Sequence, residues 1–440
     1  MTVDAGDPAA TGAAASGVRV EFGGRLSRPV ALWMLAATLG LLMFASAAPS
    51  PMYAVYQQAW GFSPIVLTAV YAANALALLV TLLFVGSLSD HLGRRPVLLV
   101  AMIVELVGMV VFAEAHGVGW LVAGRVLQGV ATGLATGAIS ATLIDLQPTG
   151  SRLGALLTNV ASSGGIAVGA LGSGLLVAYG PNPTGLVYWL LTAAFVLALA
   201  GIAAMPETVT RDGGALKSLA PKVAVPRETR GAFFALLPSI AATWALGGLY
   251  LALGGSLVRA QLHLSSPLAG GLVIVVLQGT ASVMAVLARD WSPDKALRRG
   301  PWWLIGGVAL ALLGLRLESA WLFYLASAVA GIGFGPSFSG ALRTLTGLAP
   351  AARRAEMVTA IYTVSYLALS VPAVAAGIAV AQVGLRDTAY AYGAMVIVLE
   401  AVAVVASARH RGSAPASAGP AMVPGPGTVA ACPRAVAAHV

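Results

Sequence analysis

The stretch Gly86-Ser-Leu-Ser-Asp90-His-Leu-Gly93-Arg94-Arg95-Pro96 decides how the chain folds. It is a charged island between two apolar runs, at about 65–87 and 96–115. Each run is about 20 residues long, the length a helix needs to cross the hydrocarbon of a bilayer. Gly93 permits a tight turn, and Pro96 suits the first turn of the helix that follows. Asp90 and the two arginines can form a hydrogen-bonded ionic cluster at the membrane edge, made in one conformation and broken in another.

Outward from this island the same alternation fills the chain. Twelve apolar spans run over about 30–53, 65–87, 96–115, 119–146, 153–179, 185–205, 232–258, 267–288, 301–317, 320–347, 355–382 and 388–408. Charged residues make up 9% and hydrophobic types 58% of the 440 residues. An ordinary soluble domain carries roughly 25% charged residues, so this chain cannot cover a water-facing surface. Membrane strands would alternate in polarity over roughly ten-residue segments, whereas these runs are continuous. The reading is an all-α polytopic membrane protein with the lipid bilayer as its partner.

The net charge of +9 does not point to nucleic acid, because the basic residues lie between the spans. Counted by side, 21 of the 25 fall on the face that carries both termini and the even-to-odd connections; Arg259, Arg316 and Arg386 fall on the other, and Arg125 lies inside a span. Positive residues favour the cytoplasm, so both termini are expected there. The organisation reads as a disordered tail over 1–28, a six-helix bundle over 29–205, a cytoplasmic linker over 206–231, a second six-helix bundle over 232–408, and a disordered tail over 409–440. The lone cysteine, Cys432, excludes an internal disulfide. Arg outnumbers Lys 22 to 3, and with abundant Ala this suggests a GC-rich bacterial genome; the expected location is then the bacterial cytoplasmic (inner) membrane.

The two halves are weakly related. Gly129, Gly133, Pro148 and Arg152 recur 202 positions later as Gly331, Gly335, Pro350 and Arg354. Asp90, Arg94 and Arg95 recur at nearly that shift as Asp294, Arg298 and Arg299. Parallel six-span halves related by an axis along the membrane normal are a transporter signature.

In span 4, Arg125, Gln128, Thr132 and Thr136 share one helical face, beside a stripe of Gly129, Gly133 and Gly137 where another helix can approach closely. An arginine within a span costs at least about 2.5–3.5 kcal/mol unless it reaches water or a partner. The bland reading of Arg125 is a buried ion pair that locks the fold. Against it, the 202-residue shift puts Ser327 at the equivalent place, so the repeat does not demand a charge.

The 86–96 stretch resembles the signature of the major facilitator superfamily between helices 2 and 3, and Arg125-Val-Leu-Gln128-Gly129-Val-Ala-Thr-Gly133 resembles that family's fourth-helix motif. Gly165, Gly169, Gly172 and Gly174 partly resemble the antiporter motif of its drug-efflux branches, with Ala170 where a proline is usual. Pro49-Ser-Pro51-Met-Tyr53 is similar to the end of helix 1 in its twelve-helix proton-linked exporters. The resemblance covers about 30–408. It implies two pseudo-symmetric bundles around a central path, with a monomer as the default.

The resemblance also implies roles. Asp90, Arg94, Arg95 and Asp145 would form the gate: Asp90 toward Arg353 and Arg354 at the start of helix 11, holding the outward-open state, and Arg94 with Asp145. Arg125 would influence the protonation of a nearby carboxylate or contact substrate. Glu105, roughly 15 Å from either end of span 3 at ~1.5 Å per residue, leads as the proton-coupling partner of Arg125, because a carboxyl in lipid-like surroundings can take up a proton. Glu400 in span 12 is the second candidate. In this family, however, helices 3 and 12 usually stand outside the cavity, which leaves a plain helix-contact role open for both. Substrate-binding candidates on helices expected to line the path are Tyr71, Asn74, Gln128, Trp244, Gln278, Tyr362 and Tyr366. Aromatic and amide groups without fixed charge suit a moderately apolar substrate.

Signatures of other chemistry are missing. The sequence carries no phosphate-binding Gly-Lys-Ser/Thr loop and no His-Glu-x-x-His or cysteine cluster, so no cofactor or metal is expected, and no enzyme activity. The function expected is secondary active transport, with protons and a small molecule as partners: proton-coupled export of a small, fairly apolar compound by alternating access. The alternatives are uptake of a sugar or organic acid, or a non-transporting membrane sensor.

Overall fold

A computed structural model describes residues 25–85, 88–209, 223–264, 266–350 and 353–413, without the side chains of Ala54, Asp90 and 410–413. Most of both expected tails and the middle of the 206–231 linker lie outside the described residues. Among the described residues twelve long helices follow one another. They are α1 (Arg28–Ala47), α2 (Pro64–Val85), α3 (Arg94–Ala113), α4 (Val118–Leu146), α5 (Leu153–Tyr179), α6 (Leu186–Ala204), α7 (Arg230–Gln261), α8 (Pro267–Leu287), α9 (Pro293–Arg316), α10 (Ala320–Leu348), α11 (Arg354–Val383) and α12 (Leu385–Ser413). Eleven of them are long and apolar enough to cross a membrane. The remaining one, α9, carries charges over its first two turns and is apolar from Pro301 to Leu315, ending on Arg316.

Two boundaries differ from the sequence expectation. Span 1 was expected to run unbroken to residue 53, but α1 ends at Ala47 and a separate two-turn helix covers Tyr53–Trp60. Pro49 and Pro51 lie between them, and proline cannot donate the backbone bond a continuing helix requires. Span 9 was expected to begin at 301, but α9 begins at Pro293, with the Ser292 side chain accepting a hydrogen bond from the Lys295 backbone at 3.2 Å. That cap carries Asp294, Arg298 and Arg299 onto the helix rather than into a connection.

The packing repeats between halves. In the first half α4 packs on α1, α2 and α3, α1 also on α5 and α6, and α3 on α6. In the second half α10 packs on α7, α8 and α9, α7 also on α11 and α12, and α9 on α12. Each of these pairings recurs six helices later. The halves meet mainly through two seams that this symmetry also exchanges, α5 with α8 and α2 with α11. Close approach within a half rests on the glycine stripe. A Cβ at Gly133 would stand 2.8 Å from the Thr81 Cβ, so α2 can lie on α4 only if that position has no side chain.

The end of the molecule that carries Arg94, Arg152, Arg298 and Arg354, here the basic end, is where the bundles part. Helix α7 packs against α8, α10, α11 and α12 and touches α2. Yet Leu237, Ala241 and Trp244 are partly exposed on one stripe, and everything from Ala245 to Tyr250 is buried. On α4, Thr136, Gly137 and Ser140 are likewise accessible. On α5, Asn159 is exposed on the face opposite the lipid-facing Val168. These positions outline a hollow that enters from the basic end and stops near the level of Trp244. At the opposite end Pro51 and Tyr53 close against Ala252, Gly255 and Gly270 around a gap of only about 20 Å³, about one water.

Candidate functional site

Arg125 is fully buried in α4. Its Nε donates to the Tyr53 hydroxyl at 2.8 Å, and its Nη1 to the Ser46 carbonyl at 2.8 Å and to Gln128 Oε1 at 2.7 Å. The guanidinium also lies over three rings, Tyr53 at 5.5 Å, Tyr71 at 5.8 Å and Phe112 at 5.9 Å. Aromatic faces attract a desolvated cation. Among the described residues no ion pair reaches it and its Nη2 has no hydrogen-bond partner.

Gln128, one turn further along α4, is the hub. Its Oε1 accepts from both Arg125 and Asn74 Nδ2, the latter at 3.2 Å, and its Nε2 donates to Glu105 Oε1 at 3.5 Å. Glu105 is fully buried on α3, and its Oε2 has no partner among the described residues. Asn74 also donates to the Arg125 carbonyl at 3.4 Å. Thus α2, α3 and α4 are joined through one amide, with a cation on one side and a carboxyl on the other. A buried charge whose compensation runs through an intermediary is sensitive to the proton count of that carboxyl.

Of the expected substrate-binding residues, Asn74 and Gln128 belong to this buried network, with Tyr71 packed over its cation. Trp244, Tyr362 and Tyr366 gather elsewhere, with Phe338, in a cluster of four rings drawn from α7, α10 and α11. Trp244 lies 4.9 Å from Tyr366, 5.3 Å from Phe338 and 6.3 Å from Tyr362, each edge to face. All four rings are partly exposed, at the inner end of the hollow. Gln278 is apart from both groups. It is buried on α8, one turn before Ser282, which donates to the Val160 carbonyl on α5 at 3.3 Å, so it faces the seam between halves.

At the basic end Arg94 forms an ion pair with Asp145 at the end of α4. Arg95 donates to the Ala203 carbonyl of α6. Glu207, just past α6, accepts from the Arg94 and Arg95 backbone N–H groups at 3.0 and 3.1 Å. It thereby caps the start of α3, where a negative charge meets the helix dipole. Gly93 takes φ +95°, and a Cβ there would stand 2.7 Å from Glu207 Oε2. The Asp90 side chain, and with it the expected contact toward helix 11, lies outside the described residues; Arg353 pairs with Glu356 at 3.0 Å. Three contributors escaped the sequence reading. Glu207 is 113 positions from Arg94, Phe338 is one apolar ring among many, and Tyr53 stood out only as part of a motif.

Glu400 is buried between α12 and α7, accepting from Ser239 at 3.1 Å and Thr243 at 3.5 Å. Both hydroxyls sit on the side of α7 turned away from the accessible Ala241 and Trp244 stripe.

Comparison with known proteins agrees with this architecture. The sequence profile described as Major Facilitator Superfamily matches residues 35–371. A segment of 132 residues is 33% identical to a protein of Bacillus subtilis (strain 168) described as "Probable metabolite transport protein CsbC", covering 28% of this chain and 26% of that protein. A segment of 59 residues is 44% identical to an "MFS-type transporter" of Aspergillus terreus (strain NIH 2624 / FGSC A1156), covering 13% and 10%. The chain thus spans about a quarter and a tenth of these curated relatives. Among solved structures, a peptide transporter POT in complex with sulfate superposes with a TM-score of 0.69 at 15% identity, covering 86% of this chain and 94% of that one. A bacterial homolog of the human lysosomal transporter Spinster, in an inward-facing and occupied conformation, gives 0.67 at 14%, covering 87% and 97%. Twelve long helices in two related bundles and a profile match over most of the chain lead to one conclusion: this protein belongs to the Major Facilitator Superfamily and is a multi-pass membrane protein.

Proposed function

We propose that this chain is a proton-coupled secondary carrier that exports a small, fairly apolar compound across the cytoplasmic membrane of a bacterium. The observation that carries the proposal is the Arg125–Gln128–Glu105 relay beside a hollow lined by uncharged rings. Both termini and the basic end lie in the cytoplasm, following the bias of positive residues, so the hollow faces the cell interior. A compound entering from there meets Trp244, Phe338, Tyr362 and Tyr366, which offer stacking surfaces and no fixed charge. A proton arriving at Glu105 from outside changes the charge balance at Gln128 and Arg125, and with it the hold of α4 on α2 and α3. Because α2 is also half of a seam with α11, that change reaches the second bundle. Rocking of the bundles then exposes the site alternately to each side. One charge moving through the membrane potential supplies about 2.3 kcal/mol per 100 mV.

One chain contains both halves of the site, which supports a monomer as the working unit. The partial likeness to a metabolite transport protein supports a metabolite as the cargo. The test is flux in proteoliposomes over a panel of ring-bearing compounds, sugars and organic acids under an imposed proton gradient. The proposal expects at least one ring-bearing compound to move against its gradient and to stop when a protonophore is added. Gradient-insensitive flux removes proton coupling, and movement of sugars alone favours the uptake reading. No flux beyond protein-free vesicles favours a sensor.

A further inference from the structure

The two copies of the charged repeat are built differently. In the first, Gly93 breaks the chain, Arg94 pairs with Asp145, and Glu207 closes the start of α3. In the second, no glycine break occurs, and Asp294, Lys295, Arg298 and Arg299 ride on α9 itself. The partners of the three cations are local. Arg298 lies 3.9 Å from Asp294 one turn back, while Lys295 and Arg299 flank the Trp291 ring at 4.7 and 5.8 Å. Among the described residues no carboxylate from another helix reaches Arg298 or Arg299, and the Arg298 side chain is 70% exposed. Asp294, Lys295, Arg298 and Arg299 line an open cavity of about 350 Å³.

The same helix face continues in a depth-ordered pattern. After the basic residues come Trp302 and Trp303, 61% and 45% exposed, then the exposed Leu310 and Leu313. The opposite face, with Ala296, Leu297, Gly300 and Leu304, is buried against the bundle. At Gly306, between the indoles and the leucines, an added Cβ would meet nothing within 4 Å, which leaves a shallow furrow on the outward face. Charge, then indole, then aliphatic along one stripe matches phosphate, interface and acyl chain.

We propose that the outward face of α9 binds an anionic phospholipid. Its phosphate sits among Lys295, Arg298 and Arg299, and an acyl chain passes Trp302 and Trp303 along the furrow at Gly306. Trp291 holds two of the cations in place for it. The occupant is a lipid rather than a free anion because the basic group opens onto a lipid-facing stripe.

The test uses the purified full chain with phosphatidylglycerol, phosphatidylcholine or inorganic phosphate as probe. Native mass spectrometry counts retained lipid, and thermal melting reads stabilisation. The native protein should retain phosphatidylglycerol over phosphatidylcholine and melt higher in its presence. Lys295→Gln/Arg298→Gln/Arg299→Gln should weaken retention by about tenfold or more, whereas Arg227→Gln/Arg230→Gln, at the same end, should leave it unchanged. Trp302→Leu, which keeps the charges, should also reduce retention. Equal retention by the triple variant overturns the proposal, as does equal stabilisation by inorganic phosphate or by phosphatidylcholine.

Discussion

Arg125 and Glu105 are linked through a third residue: Gln128 accepts from the guanidinium at 2.7 Å and donates to the carboxyl at 3.5 Å. The symmetry-related site in the second bundle shows what the fold itself requires. There Ser327 stands where Arg125 stands, 202 positions on, and meets the Tyr250 hydroxyl at 3.0 Å much as Arg125 meets Tyr53. A tyrosine anchoring the central helix is therefore common to both halves, and a hydroxyl suffices for it. The cation, amide and carboxyl have no counterpart in the second half, where Ser327, Ala330 and Gly307 stand 202 positions on.

Glu105→Gln removes the titration and keeps the shape. An amide oxygen still accepts from Gln128 Nε2, so expression and melting should stay near those of the native protein. Proton-driven accumulation should vanish, while exchange of labelled for unlabelled substrate across vesicles of equal pH should persist. Preserved pH dependence of flux in the variant would show that the coupling proton binds elsewhere.

Arg125→Lys keeps the charge but loses the fork that reaches Tyr53, Ser46 and Gln128 together. Proton-driven flux is expected to fall close to that of protein-free vesicles in both Arg125→Lys and Arg125→Ala, with helix content by circular dichroism unchanged. Wild-type flux in the lysine variant would reduce the site to a point charge.

Trp244→Ala opens the ring cluster. Each aromatic pair contributes about 0.5–1.5 kcal/mol, and 1.4 kcal/mol is about tenfold in affinity. The apparent affinity for the transported compound should fall by up to about tenfold, with the pH dependence intact. An unchanged affinity in a saturation curve would move the substrate away from the second bundle.

The glycine stripe separates packing from function. Gly129→Val places a side chain against the Asn74 carbonyl and Ala77, and overpacking of that kind costs about 1–3 kcal/mol. Gly137→Ala faces open space and should melt as the native protein does. Glu207→Ala removes the acceptor that closes the start of α3, a loss of about 1–2 kcal/mol, read as a lower melting temperature and more frequent opening at the basic end.

The parts legible in the sequence were those that composition and repetition impose. The twelve spans followed from continuous apolar runs, and the relation of the halves from the 202-residue spacing. Arg125 stood out because a charge inside a span is costly. What the sequence hid was direction. Gln128 and Asn74 read as cavity amides, since nothing in a linear pattern says which side of a helix meets water and which meets another helix. Glu207 was hidden for a different reason: a carboxylate that caps a helix 113 residues away leaves no local signature. The short helix over Tyr53–Trp60 reflects two prolines in an apolar run, and apolarity alone masked the break.

The central claim is that the proton on Glu105 sets the balance between the two arrangements of the bundles. Spin labels at Ala155 on α5 and Leu348 on α10, both exposed at the basic end, report that balance without a known substrate. Pulsed electron double resonance in lipid nanodiscs should show two distances whose populations shift as pH changes in the native background. With Glu105→Gln the populations should stay fixed over the same pH range. A variant that follows pH as the native protein does would contradict the account.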